Sequence, residues 1–271
     1  MTEIVLIADS GGTKTDWCAV MNGERIFFET GSCHPANWNA AFWDQLRRDL
    51  QAHVDLPRTN LYFFGAGCLN TENRLVAEAA FQKMNFNAGN VKSDLHGAGY
   101  ALFGKKEGVG IISGTGSVLF YWKDETILKY VGGKGHLIGD EGSGFYFGKL
   151  LREKWRNNAL LTTQKKVLNP TVREILTTVN TQNEKFALAS LSKLLQNHVA
   201  VFRDLHEANI NTFIATHFEA ETPDQVALLG GYGFGNQSLW RSILAKKGIE
   251  LTVVLEKPIV SLVERMESFI D

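Results

Sequence analysis

The order of apolar and polar positions along the chain predicts strands and helices that alternate. Residues 4–8 form an apolar run typical of a buried strand, and two strands rich in β-branched and aromatic residues follow at 16–21 and 25–30. The pair Asn22 and Gly23 between those two strands is a typical hairpin turn. A glycine-rich turn joins the first strand to the second.

The same order of strand, glycine-rich turn, strand, short turn and strand returns about 100 residues later. Its strands are predicted at residues 109–113, 118–122 and 126–131. We therefore predict two similar halves, each of which presents a backbone turn to one ligand. Glycine turns are also common in ordinary hairpins, and the pattern alone leaves that alternative open.

Helical spacing of apolar residues predicts helices between and after these strands. The helices are predicted at residues 37–54, 72–84 and 145–156, through most of 171–218, at 237–247 and after Pro258. Further short strands are predicted at residues 61–64, 91–93, 226–229 and 251–255. Strands that alternate with helices predict the α/β class.

The composition is that of an ordinary globular protein and excludes some partners. Of the 271 residues, 44% are hydrophobic and 21% are charged, and a net charge of −1 provides no excess of cations for a nucleic acid. The three cysteines are scattered and form no CxxC pair, which argues against a disulfide framework and a zinc site. The apolar run at 4–8 is too short for a signal peptide or a membrane span, so we expect a cytoplasmic protein with no membrane partner.

The first glycine-rich turn has the chemistry of a phosphate site. The consecutive Gly11 and Gly12 let backbone N–H groups approach an anion, and Thr13 adds a hydroxyl donor. Lys14 follows, and Asp9 at the end of the strand is placed to hold Mg²⁺, directly or through its waters. A tight turn with a capping aspartate is the structural alternative.

The second turn contains Gly114, Thr115 and Gly116 and is the counterpart of the first in the repeated frame. Two such turns together predict a clamp for the phosphates of one nucleotide. The common nucleotide motifs are absent, since the sequence has neither a GxxxxGK[ST] P-loop nor the GxGxxG spacing of a dinucleotide fold.

Asp94 follows a short predicted strand, at the end of the sheet where ligands bind in α/β proteins. We predict that Asp94 is a general base, which accepts the proton of a hydroxyl group as that group attacks the γ-phosphate. A helix N-cap is the alternative role, because aspartate favours that position.

The segment 132–144 is the most unusual of the chain, with six glycines in thirteen positions. So many glycines indicate that another group approaches the main chain closely. His136, Asp140 and Glu141 offer side chains that can hydrogen-bond vicinal hydroxyl groups. The alternative is a flexible loop followed by a helix capped near Asp140.

The predicted strand at 226–229 ends in Gly230 and Gly231. A turn of this kind can pass close to the base and ribose of a nucleotide, and an ordinary strand–helix turn is the alternative.

These motifs resemble those of a known family. The turns at 9–15 and 112–117 are similar to the two phosphate loops of N-acetylglucosamine kinases, which belong with the BadF/BadG-type ATPases to the actin, hexokinase and Hsp70 superfamily. The segment 132–143 is similar to the sugar-side loop of that family, its most specific motif, and residues 229–231 resemble its adenosine loop. The four motifs occur in the order that the family has.

The resemblance implies a role for each matching residue. Asp94 is implied as the catalytic base and Asp140 as the sugar-binding carboxylate. The other implied sugar contacts are Asn37, Ser117, Gly132, Gly133, Gly135 and His136. The implied contacts to ATP are Asp9, Gly11, Gly12, Thr13, Lys14, Gly114, Thr115, Gly116, Gly230 and Gly231, with Mg²⁺ at Asp9.

The resemblance also implies the fold and the reaction. The expected fold is α/β, with two actin-like, ribonuclease H-like ATPase lobes that face a nucleotide cleft. The lobes are expected at residues 1–107 plus 258–271 and at residues 108–257, with the last helix returning to the first lobe. The expected reaction is phosphorylation of the 6-hydroxyl of an amino sugar by ATP and Mg²⁺, with N-acetylglucosamine as the first choice.

The sequence departs from the family pattern at two positions near the sugar. Lys134 stands where the animal enzymes have tryptophan, and Val118 stands where they have asparagine. Glucosamine and N-acetylmuramic acid therefore stay open as substrates. Two other functions also stay open, an activator ATPase that reduces a partner through an iron–sulfur cluster and a nucleotide-binding sensor. A homodimer is left open as well.

Overall fold

The computed structural model describes residues 4–133, 139–180, 184–218 and 222–270, with the backbone alone for 267–270. The chain divides into two compact units, the first made of residues 1–105 and 258–271 and the second of residues 106–257. The predicted Gly135 and His136 lie outside the described residues.

A five-stranded mixed sheet forms the centre of the first unit. Its strands are β1 (Ile4–Ser10), β2 (Lys14–Met21), β3 (Glu24–Gly31), β4 (Thr59–Gly65) and β5 (Ala88–Ser93), in the order β3-β2-β1-β4-β5. Strand β1 is antiparallel to β2 and parallel to β4, and β5 is parallel to β4. The continuous apolar run of β1 follows from this central position, because a strand covered on both faces has no polar side.

A second five-stranded sheet repeats this topology in the second unit. Its strands are β6 (Gly108–Ser113), β7 (Ser117–Lys123), β8 (Thr126–Gly132), β9 (Gln225–Leu229) and β10 (Glu250–Leu255), in the order β10-β9-β6-β7-β8. Strand β6 is antiparallel to β7 and parallel to β9, as β1 is to β2 and β4. The predicted repetition of strand, glycine turn, strand, turn and strand is confirmed.

Helices cover the sheets and fill most of the interval between β8 and β9. They are α1 (Ala40–Gln51), α2 (Thr71–Lys83), α3 (Asp94–Phe103), α4 (Gly144–Arg156), α5 (Thr162–Val167), α6 (Pro170–Thr178), α7 (Glu184–Leu194), α8 (Arg203–His217), α9 (Gly231–Gly235), α10 (Gln237–Ala245) and α11 (Ile259–Ile270). No helix among the described residues is long and apolar enough to cross a membrane.

The helix predicted at 37–54 begins later than its apolar spacing indicated. A short 3₁₀ turn, Pro35–Asn37, comes first, and α1 starts only at Ala40. The side chain of Asn39 accepts a hydrogen bond of 2.9 Å from the N–H of Phe42 and so caps the helix. Asparagine is a preferred N-cap, and this local bond sets the start of the helix.

The last helix packs on the first unit, where it contacts α3, β1 and β2. Leu262 and Val263 are fully buried there. Arg265 donates to the carbonyl oxygens of Ala101 at 3.1 Å and Leu102 at 3.3 Å. A cation at the carboxyl end of α3 is favourable because it satisfies carbonyl groups that have no partner within the helix.

We expect Leu262→Ala to destabilise the protein by about 2–5 kcal/mol, because it leaves a cavity under α11. Val260→Ala on the same helix is the matched control, since Val260 is 49% exposed, and should cost less than about 0.5 kcal/mol. Urea denaturation followed by tryptophan fluorescence measures both values. Equal effects of the two substitutions would contradict the packing of α11.

Candidate active site

In the first unit, three parallel strands end in one row. Ser10 of β1 pairs with Gly65 of β4, and Gly65 pairs with Ser93 of β5. Neighbouring strands lie about 4.8 Å apart, so Ser10 and Ser93 are separated by about 10 Å. The glycine turn after β1 and Asp94 after β5 therefore lie at the same edge of the sheet, the edge where α/β proteins bind ligands.

The first turn is shorter than predicted, because β1 runs through Ser10 and β2 begins at Lys14. The hydroxyl of Thr15 donates to the hydroxyl of Ser10 at 2.9 Å and holds the two strands together up to the turn. Only residues 11–13 form the turn. Its first N–H, that of Gly11, donates to the carbonyl oxygen of Lys14 at 3.0 Å and closes the turn.

Lys14 lies on β2, where its ammonium group is 3.0 Å from Asp16 Oδ1 and also contacts Glu29. Asp9 and Asp16 are directly opposite each other in the β1–β2 ladder. Opposed residues of an antiparallel pair project from the same face of the sheet, so these two carboxyl groups are neighbours. Asp9 was predicted from the sequence and Asp16 was not, because the position of Asp16 opposite Asp9 follows only from the strand register.

Asn37 is connected to the first turn by hydrogen bonds. Its amide donates to the carbonyl oxygen of Ser32 at 2.9 Å, and the Ser32 hydroxyl donates to the carbonyl oxygen of Gly11 at 2.7 Å. The side chain of Asn37 is exposed. The structure thus places the predicted sugar contact and the predicted phosphate turn in one hydrogen-bonded segment.

Asp94 occupies the first position of α3, and Ser93 occupies the N-cap position. The alternative that Asp94 is the N-cap is therefore wrong. Its Oδ1 accepts a hydrogen bond of 3.0 Å from the N–H of Leu95. Burial raises the pKa of Asp94 to about 6, although this backbone bond acts in the opposite direction. A carboxyl group with such a pKa is poised to exchange a proton near neutral pH.

In the second unit, the turn of residues 114–116 is held by the start of α4. The N–H of Gly144 donates to the carbonyl oxygen of Gly114 at 2.9 Å, and the N–H of Phe145 donates to that of Thr115 at 3.2 Å. Ser117 is the first residue of β7, and its carbonyl oxygen accepts a bond of 3.2 Å from the N–H of Gly133. Thus the second turn and the start of the glycine-rich segment lie side by side.

Asp140 is 3% exposed and lies against the second turn. Its Oδ1 accepts a hydrogen bond of 3.1 Å from the N–H of Ser117. A Cβ at position 116 would lie 2.7 Å from this oxygen, so the carboxyl group can approach only because residue 116 is glycine. Asp140 Oδ2 is buried without a hydrogen bond, and the ammonium group of Lys185 lies 3.4 Å from it. One oxygen thus fixes the loop, and the other is left for a cation or a ligand.

The helix after this segment begins at Gly144, and its N-cap is Ser143, not Asp140. The hydroxyl of Ser143 accepts from the N–H of Tyr146 at 3.2 Å and donates to the carbonyl oxygen of Asp140 at 2.5 Å. Glu141 Oε2 lies 3.7 Å from Nε2 of His217, a residue of α8 that the sequence analysis did not connect with this segment.

Gly230 has a backbone φ of +116°, which residues other than glycine rarely adopt. A Cβ on it would lie 2.6 Å from the carbonyl oxygen of Ser113, at the end of β6. The turn after β9 therefore packs directly on the strand that leads to Gly114. Gly231 begins the short helix α9.

Buried polar residues that were not predicted from the sequence lie beneath these loops. Asn209 of α8 accepts from the N–H of Gly142 at 2.6 Å and donates to Tyr232 Oη at 2.9 Å. Tyr232 follows the Gly230 turn, and its hydroxyl is 2.8 Å from His206 Nδ1. The only sign of this network in the sequence is that an asparagine, Asn209, stands among the apolar residues of a predicted helix.

We expect Asp94→Asn to stabilise the protein at pH 8 by about 1–3 kcal/mol, because the native state no longer holds a buried carboxylate. The pKa of Asp94 is raised from 3.8 to about 6, so the wild type loses stability as the pH rises from about 4 to about 6. The gain should therefore shrink towards zero at pH 4.5 and below.

Urea denaturation at pH 4.5 and pH 8 measures this difference, and Asp44→Asn on the exposed face of α1 is the matched control. A gain that does not change with pH would show that Asp94 titrates as an ordinary carboxyl group.

We expect Gly116→Ala to destabilise the protein by about 1–3 kcal/mol, because the new methyl group displaces the carboxyl group of Asp140. Gly114→Ala in the same turn is the matched control, since a Cβ there meets nothing within 4 Å. Thermal unfolding measures both. A Gly116→Ala protein as stable as Gly114→Ala would contradict the close contact between Gly116 and Asp140.

Comparisons with known proteins find similarity to amino-sugar kinases. No protein-family model matches the chain. The N-acetylmuramic acid/N-acetylglucosamine kinase of Clostridium acetobutylicum is 29% identical over 159 residues, which are 54% of this chain and 51% of that protein. The match spans about half the length of this curated relative.

Solved structures match nearly the whole chain. The proposed N-acetylglucosamine kinase of Porphyromonas gingivalis has a TM-score of 0.79 at 25% identity, over 97% of this chain and 99% of that one. A ROK family glucokinase of Streptomyces griseus, in complex with glucose and AMPPNP, has a TM-score of 0.55 at 13% identity and shares the fold over 99% of both chains. The expected α/β fold with two actin-like lobes is confirmed. The predicted resemblance to the N-acetylglucosamine kinases is confirmed as a similarity of sequence and fold.

Proposed function

We propose that this protein transfers the γ-phosphoryl group of ATP to the 6-hydroxyl of an amino sugar, with N-acetylglucosamine as the first choice. The observation that carries the proposal is Asp94, a carboxyl group beside the carboxyl ends of the parallel strands β1, β4 and β5. Burial raises the pKa of this group to about 6. The similarity to amino-sugar kinases supports this class of substrate.

In this proposal Asp94 is the general base. Above about pH 6 its carboxylate accepts the proton of the sugar hydroxyl while the hydroxyl oxygen attacks the γ-phosphorus. The new oxygen–phosphorus bond forms as the bond to the leaving ADP breaks, and Asp94 then releases the proton to solvent. The protein contributes mainly by positioning the reactants and by placing charge and N–H donors around the phosphoryl group.

Each unit offers one glycine turn as a phosphate contact in this proposal. In the first unit the donors are the N–H groups of Gly12 and Thr13, and in the second unit they belong to the turn of residues 114–116. Asp9, with Asp16 opposite it, supplies the carboxylate oxygens that Mg²⁺ prefers, so these residues fit that cation. Bound Mg²⁺ would neutralise negative charge on the phosphates.

The sugar is assigned to Asp140 and to its neighbours. Asp140 Oδ2, which has no hydrogen bond of its own, is the acceptor we propose for a sugar hydroxyl. Asn37, Ser117, Gly132 and Gly133 are proposed as further sugar contacts on the family pattern. Lys185, 3.4 Å from Asp140 Oδ2, is a cation that an acidic sugar such as N-acetylmuramic acid could also use.

The burial of the cysteines argues against the activator ATPase. Cys18, Cys33 and Cys68 are all buried, with 0–1% of their surface exposed. An iron–sulfur cluster shared between two chains needs thiolates at the surface, and these three thiols are not there. The kinase is therefore the function we retain, and the sensor is the outcome if no sugar is turned over.

We expect purified protein with ATP and Mg²⁺ to release ADP in response to one amino sugar. The measurement is a coupled ADP assay with glucosamine, N-acetylglucosamine, N-acetylmannosamine, N-acetylmuramic acid and glucose. Asp94→Asn should lower kcat by about 10²- to 10⁴-fold, the usual contribution of a general base, and Asp44→Asn should not.

Two results would count against the proposal. Near-normal turnover by Asp94→Asn would remove Asp94 as the base. ATP binding without stimulation by any of the sugars would favour a nucleotide-binding sensor.

A further inference from the structure

Two loops of the second unit meet through one buried side chain. The first is residues 139–143, the sugar-side loop, and the second is residues 230–233, the adenosine-side turn. Asn209 of α8 is fully buried between them. Its Oδ1 accepts from the N–H of Gly142 at 2.6 Å, and its amide nitrogen donates to the carbonyl oxygen of Ser143 and to Tyr232 Oη, both at 2.9 Å.

The hydrogen bonds fix the direction of this network. Tyr232 Oη accepts from Asn209, so the tyrosine proton is directed to His206 Nδ1, 2.8 Å away. Burial lowers the pKa of His206 to about 4, and the neutral imidazole can accept this proton on Nδ1. The ring of His206 is stacked on Phe147 at a centroid distance of 4.2 Å, which fixes its orientation.

Each hydrogen atom of these bonds has one acceptor, because the two amide hydrogens of Asn209 go to Ser143 and Tyr232 separately, so the bonds have a single arrangement. We call Asn209, Tyr232 and His206 the Asn209 bridge. A shift of the adenosine-side turn moves the Tyr232 hydroxyl, and Asn209 can keep its bond to that hydroxyl only if Gly142 and Ser143 move as well. These two residues directly follow Asp140 and Glu141 in the chain, and the hydroxyl of Ser143 also donates to the carbonyl oxygen of Asp140, which ties the two ends of this short segment together.

We propose that the Asn209 bridge transmits nucleotide binding at the adenosine-side turn to the sugar-side loop, so that nucleotide and sugar bind with positive coupling. The inference rests on the proposed function, because it assigns one ligand to each loop. Such coupling is reciprocal, since each ligand raises the affinity for the other by the same factor. The three residues act as positioning residues, and a merely structural role would affect stability without affecting this factor.

The test is a comparison of binding with and without the second ligand. Calorimetry gives the Kd of Mg²⁺-AMPPNP, which transfers no phosphoryl group, in the absence and presence of saturating N-acetylglucosamine. The wild type should bind the nucleotide about 5-fold or more tightly with the sugar present. In Tyr232→Phe this ratio should fall below about 2-fold, while the Kd without sugar changes by less than about 3-fold.

Tyr121→Phe in β7 is the matched control, because it removes a tyrosine hydroxyl elsewhere in the same unit and should keep the wild-type ratio. If Tyr232→Phe does not fold, His206→Phe is measured in its place, with the same loss of coupling expected. That substitution keeps an aromatic ring on Phe147 and removes the acceptor of the Tyr232 proton. A wild-type ratio in the bridge variant overturns the proposal.

A second measurement needs no sugar and separates this inference from the proposed function. Hydrogen exchange is followed with and without Mg²⁺-AMPPNP. The nucleotide should slow exchange in residues 230–236 and 139–144 of the wild type, but only in 230–236 of Tyr232→Phe. Protection of 230–236 without protection of 139–144 in the wild type overturns the bridge and leaves the kinase intact. Protection of neither segment overturns both.

Discussion

The second unit depends on the burial of one carboxyl group. Asp140 is almost inaccessible to solvent, and a buried carboxyl group without partners costs several kcal/mol. A hydrogen bond from the N–H of Ser117 and the nearby ammonium group of Lys185 offset this cost. The bond from Ser117 needs the turn of residues 114–116 to lie against Asp140, which requires glycine at position 116. The predicted phosphate turn and the predicted sugar-side segment are therefore not independent, because the same carboxyl group positions both.

The first unit also buries a carboxyl group, that of Asp94, but its burial is less fully compensated. There the ends of parallel strands bring Asp94 to the same edge as the first glycine turn, and backbone N–H groups, among them that of Leu95, offset its burial only in part. The cost appears as a raised pKa, and a raised pKa is the property that a general base near neutral pH requires. Active sites commonly hold groups that destabilise the folded state in this way.

Local patterns predicted most of the fold, and long-range contacts limited the prediction of the site. The hairpins β1–β3 and β6–β8 are local in sequence, so alternating apolar residues and the Asn22-Gly23 turn were sufficient to predict them. The predicted start of α1 at residue 37 was wrong, because the N-cap at Asn39 sets the start of the helix despite the apolar spacing before it. The places of Asp16 and Asn209 in the site could not be predicted from the sequence. The first depends on strand register, and the second binds Gly142 and Ser143, 67 and 66 residues away. The assigned roles of the site residues stay predictions, as does the identity of the sugar.

In the proposed reaction, the γ-phosphoryl group passes from ATP to a sugar hydroxyl and not to water. Phosphorus NMR of a reaction with ATP, Mg²⁺ and N-acetylglucosamine tests it most directly, because a phosphate monoester and free phosphate give separate signals. We expect the γ-phosphate signal to be replaced by that of a sugar phosphomonoester coupled to the protons on carbon 6. Accumulation of free phosphate alone, with the sugar unchanged, would contradict it.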